Sequence, residues 1–108
     1  MNNLDLDKLF STYNDIESFD LDKNKQYTFS IMLGEDPEIL TNILDDTDAM
    51  KKQIYSYYPK LAKYTIKNID SAFYMHDAWY VFEIYPKLSY IELKNILGEH
   101  DYGYFIID

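Results

Sequence analysis

A chain of 108 residues with 47% hydrophobic and 18% aromatic residues has the size and apolar content of one folded domain, so we assign residues 1–108 to a single domain. The sequence lacks Cys, a run of about 18 apolar residues and a basic leader, which excludes disulfides and thiolate metal sites and predicts a cytoplasmic protein with no membrane span. All ten basic residues are Lys and the net charge is −9, so phosphate would be repelled and we expect no direct contact with nucleic acid.

The first 33 residues show two different hydrophobic periods. Apolar residues recur at spacings of three and four, which predicts a helix from Leu4 to Ser18 within an N-terminal segment, residues 1–20. The members of this stripe are Leu6, Leu9, Phe10, Tyr13 and Ile16. From Gln26 to Leu33 the period changes to two, which predicts a half-buried strand.

Helix signals follow Gly34. Asp36 is a capping carboxylate, Pro37 suits the first helical position, and the acidic residue after it lies at the positive end of the helix dipole. Either Asp46 or Thr47 can cap a second helical piece. Pro59 ends that piece, because the residue before a proline is pushed out of the helical region.

The second half of the chain predicts a hairpin. Residues 63–75 and 78–85 are rich in aromatic and β-branched side chains, and a short turn at His76 and Asp77 lets the two strands pair antiparallel. Asn68 and Asp70 interrupt the first strand and indicate a bulge or a break.

A third helix and a last strand complete the chain. Ser89 and Glu92 have the spacing of a capping box, and Gly98 lies where a helix C-terminus favours a left-handed residue. Residues 102–107 then predict the final strand.

From residue 26 the predicted order is strand, helix, strand, strand, helix, strand, which is the ferredoxin-like βαββαβ order. We therefore predict an α+β fold in which helices lie on one face of a four-stranded, antiparallel or mixed sheet. Residues 26–108 form this core, and the N-terminal helix precedes it.

One segment resembles the start of a calcium-binding loop. Asp20, Asp22 and Asn24 alternate as oxygen ligands do in an EF-hand. Lys25 stands where the loop needs glycine, and Ile31 stands where it needs a bidentate glutamate. A plain helix-to-strand connection explains the same residues, so we predict no metal site.

No set of residues indicates catalysis. His76 and His100 each adjoin a carboxylate, which is typical of a metal ligand or a general base, but both lie in predicted turns and are interpreted as surface residues. The chain has no Cys, no recognisable serine elbow and only three scattered glycines. We therefore predict that the protein is not an enzyme and binds no cofactor.

Charge is unevenly distributed along the chain. Residues 1–50 hold twelve acidic residues and three Lys, whereas residues 51–70 hold five Lys and one acidic residue. Such segregation favours steering toward a partner of complementary charge, although ordinary solvated faces give the same pattern.

Two acidic clusters and two tyrosines are the predicted protein-binding residues. The acidic side chains can stand in for phosphates, or they can simply cap helices, and tyrosine supplies large contact area at low entropic cost. The predicted residues are Glu35, Asp36, Glu38, Asp45, Asp46, Asp48, Tyr55 and Tyr58.

These features favour a small acidic protein that occludes a basic site on a nuclease or another nucleic-acid enzyme, as toxin-immunity, phage anti-defence and anti-CRISPR proteins do. An alternative is a non-catalytic interaction or regulatory module whose sheet binds a partner or forms a homodimer. A third hypothesis is a small enzyme or ligand binder that uses the histidine and carboxylate loops.

Overall fold

The structure is a computed structural model that describes residues 21–22, 24–98 and 102–107. The strands are β1 (Gln26–Tyr27), β2 (Phe29–Glu35), β3 (Thr65–Tyr74), β4 (Asp77–Tyr85), β5 (Leu88–Ser89) and β6 (Tyr102–Ile106). The helices are α1 (Pro37–Asn42), α2 (Thr47–Tyr57) and α3 (Tyr90–Leu97), with a 3₁₀ helix at Pro59–Lys63. The predicted N-terminal helix and His100 lie outside the described residues.

Four strands form one sheet in the order β3-β4-β2-β6, and each neighbouring pair is antiparallel. The predicted α+β class and four-stranded sheet are confirmed, and the sheet is antiparallel and not mixed. The short strands β1 and β5 form a separate antiparallel pair. Strand β2 continues through Gly34 to Glu35, two residues beyond the predicted end at Leu33, because both residues still pair with β4.

The hydrophobic core lies between one face of the sheet and the helices. This first face carries the residues that alternate along β2, β4 and β6, such as Ile31, Phe82 and Tyr104. Leu40 of α1, Ile54 of α2 and the buried leucines of α3 belong to the same cluster. The helices therefore cover the first face.

The strand predicted from Gln26 to Leu33 is confirmed as β1 and β2, but the prediction that it is only half-buried is wrong. On the face opposite the core, Thr28, Ser30 and Met32 are also buried. A central strand with neighbours on both sides loses exposure along its edges, and period-two alternation alone does not show whether its second face is covered.

Local signals fixed the helix starts. The Asp36 carboxylate accepts a hydrogen bond from the Glu38 amide at 2.8 Å, and the Asp46 carboxylate accepts one from the Ala49 amide at 3.0 Å. Asp46, and not Thr47, is thus the cap of α2. The 3₁₀ helix that follows Tyr58 was not predicted.

The hairpin of β3 and β4 has the predicted bulge. The pairing shifts by one residue between Lys67 and Asp70, where Asn68 adopts a φ of 53°. The turn contains Met75, with a φ of 56°, and His76. At the other end of the fold, Gly98 follows α3 with a φ of 63°, as predicted.

We predict that Ser89→Ala destabilises the protein by about 0.5–2 kcal/mol, because the Ser89 hydroxyl accepts a hydrogen bond from the Glu92 amide at the start of α3. Chemical denaturation at neutral pH measures the loss. Thr47→Ala is the matched control, since Thr47 begins α2 without capping it. An equal loss in both variants would contradict the capping role.

The Glu92 side chain adds a pH dependence to the same cap. The Ser89 amide and the Tyr64 hydroxyl both bond its carboxylate and lower its pKa below the ordinary value of 4.5. A lowered folded-state pKa stabilises the fold above pH 4.5, and this contribution is lost as the pH falls below that value. The stability gap between the wild type and Glu92→Gln should therefore narrow in acid.

Candidate functional site

The carboxylate of Glu35, the last residue of β2, is held by two tyrosine hydroxyls. Tyr57 donates to Oε1 and Tyr80 donates to Oε2, each at 2.6 Å. The Asp36 amide also donates to Oε1, at 2.8 Å. All three described donors are neutral, so they orient the carboxylate without cancelling its charge.

The two tyrosines come from different layers of the fold. Tyr80 is a fully buried residue of β4, and its partner in the register is Leu33 of β2. Tyr57 ends α2, and its hydroxyl also accepts a hydrogen bond from Gln53 at 2.9 Å. The Glu35 side chain therefore joins the sheet to the helical layer.

Burial and the nearby Glu35 carboxylate raise the pKa of both tyrosine hydroxyls. For Tyr80 burial is the largest cause, followed by the hydrogen bond to Glu35, and its pKa rises far above the ordinary 10.0. For Tyr57 the same two causes act in the same order. Both side chains therefore act as donors of hydrogen bonds throughout the neutral range.

A pocket of about 460 Å³ opens beside this carboxylate. Its acidic lining residues are Glu35, Asp36 and Asp77, and its aromatic lining residues include Tyr57 and Trp79. No lysine lines the described pocket. Carboxylates with aromatic walls are the groups that bind an ammonium or guanidinium ion.

The predicted acidic residues form two clusters that lie apart in the structure. Glu35, Asp36 and Glu38 lie together where β2 passes into α1. Asp46 and Asp48 lie at the start of α2, whereas Tyr57, which contacts Glu35, lies at its end, roughly 13 Å further along the helix axis.

The second acidic cluster, at the start of α2, also has lysine residues near it. Asp45 precedes α2 with a φ of 69°, and Asp46 is engaged as the cap. Lys51 and Lys52 follow Asp48 at three and four residues, the spacing of neighbours on one helix face. The pocket at Glu35 therefore holds the less compensated negative charge.

The two predicted tyrosines offer little surface. Tyr58 is 3% exposed and belongs to the core cluster. Tyr55 is half-buried, and its hydroxyl donates to the Tyr64 carbonyl at 2.9 Å. Both side chains thus stabilise the connection from α2 to β3.

The sequence did not predict Asp77 and Trp79, which line the pocket, or Tyr80, which donates a hydrogen bond to Glu35. Asp77 is predicted in the turn but is the first residue of β4, and only the pairing of Glu35 with Ala78 brings it beside the acidic residues of β2. Tyr80 and Trp79 belong to an aromatic run whose two faces the sequence cannot distinguish. No local signal marks them.

The other patterns have structural explanations. Asp22 Oδ1 accepts from the Asn24 amide at 3.0 Å, which is a local turn contact. His76 is exposed in the hairpin turn. Within residues 21–22, 24–98 and 102–107, no group of three His, Asp or Glu side chains could hold a metal ion.

Comparison with known protein families, curated proteins and solved structures gave no match to this chain. In the part of the chain that the structure describes, every helix is too short or too polar to cross a membrane.

We predict that Tyr80→Phe costs about 1.5–3 kcal/mol at neutral pH, because it removes a buried hydrogen bond to a charged carboxylate. Tyr27→Phe is the control: Tyr27 is also buried, but its ring contacts Phe29 and Lys25 and not Glu35. Unfolding free energies of both variants measure the difference.

The same variant should change the response to alkali. A raised tyrosine pKa contributes stability that is complete below pH 10.0 and is lost as the pH rises above it. Tyr80→Phe should therefore lose less stability than the wild type between neutral and strongly alkaline pH. Identical alkaline profiles would contradict the coupling.

Proposed function

We propose that this chain is a small acidic inhibitor that binds another protein and occludes a basic site on a nucleic-acid-processing enzyme, of the toxin-immunity or phage anti-defence type. The supporting observation is the pocket at Glu35, where carboxylates and aromatic rings line about 460 Å³. Basic sites that hold nucleic-acid phosphates present Arg and Lys, whose charge and shape match such a pocket.

The fit to a cationic side chain follows from position and chemistry. The pocket volume lies within the range of about 300–1,000 Å³ found for small-ligand sites, which is ample for one Arg or Lys side chain. Two tyrosine hydroxyls hold the Glu35 carboxylate, and Asp36 and Asp77 add negative charge to the pocket lining. A fixed carboxylate binds a cation at lower entropic cost than a mobile one.

Binding and not catalysis is the proposed activity. Both oxygens of Glu35 accept hydrogen bonds from hydroxyls whose own pKa values are raised, so these groups orient a charge and do not relay a proton near neutral pH. The protein would act in the cytoplasm at a one-to-one ratio with its target.

The proposed topology is ferredoxin-like. Strands β2 and β3 are joined through α1 and α2, run parallel to each other and flank β4. Strands β4 and β6 are joined through α3 and flank β2 in the same way. Two interleaved split βαβ units of this kind make up that fold.

A second candidate function is binding through the sheet edge. Strand β6 is an edge strand of the sheet, and its Phe105 and the residue that follows the strand, Ile107, are 41% and 47% exposed. An edge strand can pair with a partner strand or with a second copy. The pocket is preferred because it combines charge, aromatic walls and an oriented carboxylate.

Arginine amide is a probe that tests the pocket without a known partner. In an NMR titration we expect shifts at the backbone amides of Gly34, Asp36 and Trp79, which line the pocket. Glu35→Gln should abolish them, and Asp48→Asn should preserve them, because it removes the same charge at the other end of α2. Shifts centred on Asp48 or on β6 would contradict the proposed pocket.

The inhibitory role is tested on a purified pair. A tagged chain captures its partner from the source organism at low salt, and the partner's nucleic-acid activity is then titrated with the chain. We expect inhibition that saturates at one-to-one and weakens as salt rises. Asp77→Asn should weaken binding about tenfold or more, by about 1.4 kcal/mol or more, while Asp48→Asn should not. Partner activity that is unaffected at saturation would refute the inhibitor role.

A further inference from the structure

The face of the sheet turned away from the helices, which we call the second face, is apolar and buried at its centre. Its central residues Met32, Ala72 and Val81 are 4%, 1% and 9% exposed. Val81 of β4 is the register partner of Met32 in β2 and of Asp70 in β3. Ala72 of β3 lies on the same face, opposite Trp79, which is two residues before Val81 in β4.

The described helices do not account for this burial. Their buried residues cluster with the first face, and Met32, Ala72 and Val81 are not members of that cluster. An antiparallel sheet whose second face meets water carries polar residues there. Ser30, Glu83 and Lys67 carry polar groups toward one end of this face. Its middle presents Met32, Val81, Ala72 and Trp79 with Asp70 beside them, so this apolar patch needs a cover of its own.

The N-terminal segment, residues 1–20, has the pattern of such a cover. Its stripe of Leu6, Leu9, Phe10, Tyr13 and Ile16 would form one face of a helix. A helix over residues 4–18 would be about 22 Å long, and β4 with nine residues is about 30 Å long, so the helix would fit across the sheet. A helix of this length is marginal in water without a packing partner.

The described part of the chain begins only a few residues before β2. Leu21 packs against the core cluster, and β2 begins eight residues later at Phe29. Strand β2 is central in the sheet and carries Met32 on the second face. The segment therefore joins the fold only a few residues before the strand that it would cover.

We propose that residues 1–20 dock on the second face of the sheet and bury Met32 and Val81 under their apolar stripe. The sheet is then a middle layer, with the described helices on one side and the N-terminal segment on the other. The second face is thereby closed to other proteins and to a second copy of the chain, which leaves the Glu35 pocket for partner binding.

The full-length chain tests this directly. With methionine methyl groups labelled, we expect nuclear Overhauser contacts from the Met32 methyl to ring protons of Phe10 or Tyr13. A mixture of labelled and unlabelled chains separates contacts within one chain from contacts between copies. Contacts only between copies would show that a second copy covers the face, and a Met32 methyl that contacts solvent alone would show a bare face. Either result overturns the proposal.

A matched pair of variants provides a second readout. Trp79 is the only tryptophan and lies on the second face, so its fluorescence reports the cover. Leu9→Asp should shift its emission to the red and increase quenching by acrylamide, whereas Ser11→Asp, about 200° around the predicted helix, should leave both unchanged. Circular dichroism identifies any general unfolding. Equal behaviour of the two variants while both stay folded would overturn the proposal.

Discussion

The register of the central strand β2 connects the core, the pocket and the second face. Hydrogen bonds to β4 on one side and β6 on the other fix which residues point to which face. Because side chains alternate, a slip of one residue would turn Phe29, Ile31 and Leu33 away from the helices. The same slip would remove Glu35 from Tyr57 and Tyr80, so the packing of the core also sets the position of the carboxylate.

The contacts of Glu35 show how a charge is kept at the edge of an apolar core. A carboxylate that leaves water needs other donors, and the hydroxyls of Tyr57 and Tyr80 provide them. A lysine in their place would have neutralised the site. Neutral donors instead leave its negative charge available to a cation from outside, which is the physical basis of the proposed function.

The charges near each acidic cluster, and not the net charge of the chain, distinguish the two clusters. The net charge of −9 says only that the surface is acidic. At the start of α2, Asp46 has a capping role, and Lys51 and Lys52 lie one helical turn from Asp48. Around Glu35, by contrast, acidic residues from β2 and β4 converge without a lysine in the pocket lining.

The sequence by itself determined the features that depend on neighbouring residues. The caps at Asp36 and Ser89, the bulge near Asn68 and the left-handed Gly98 all follow from short-range hydrogen bonds and steric limits. The order of strands and helices follows from hydrophobic periods. Because these signals are local, the sequence predicts them without knowledge of the rest of the fold.

Only the tertiary structure decided which distant residues meet. The pairing of β2 with β4 brings Asp77 to Glu35, and the packing of α2 brings Tyr57 to the same carboxylate. No sequence pattern predicts either contact. It also divided the predicted acidic surface between the two ends of α2 and buried Tyr58 in the core. Period-two alternation places residues on opposite faces of a strand, but only packing determines which faces are covered.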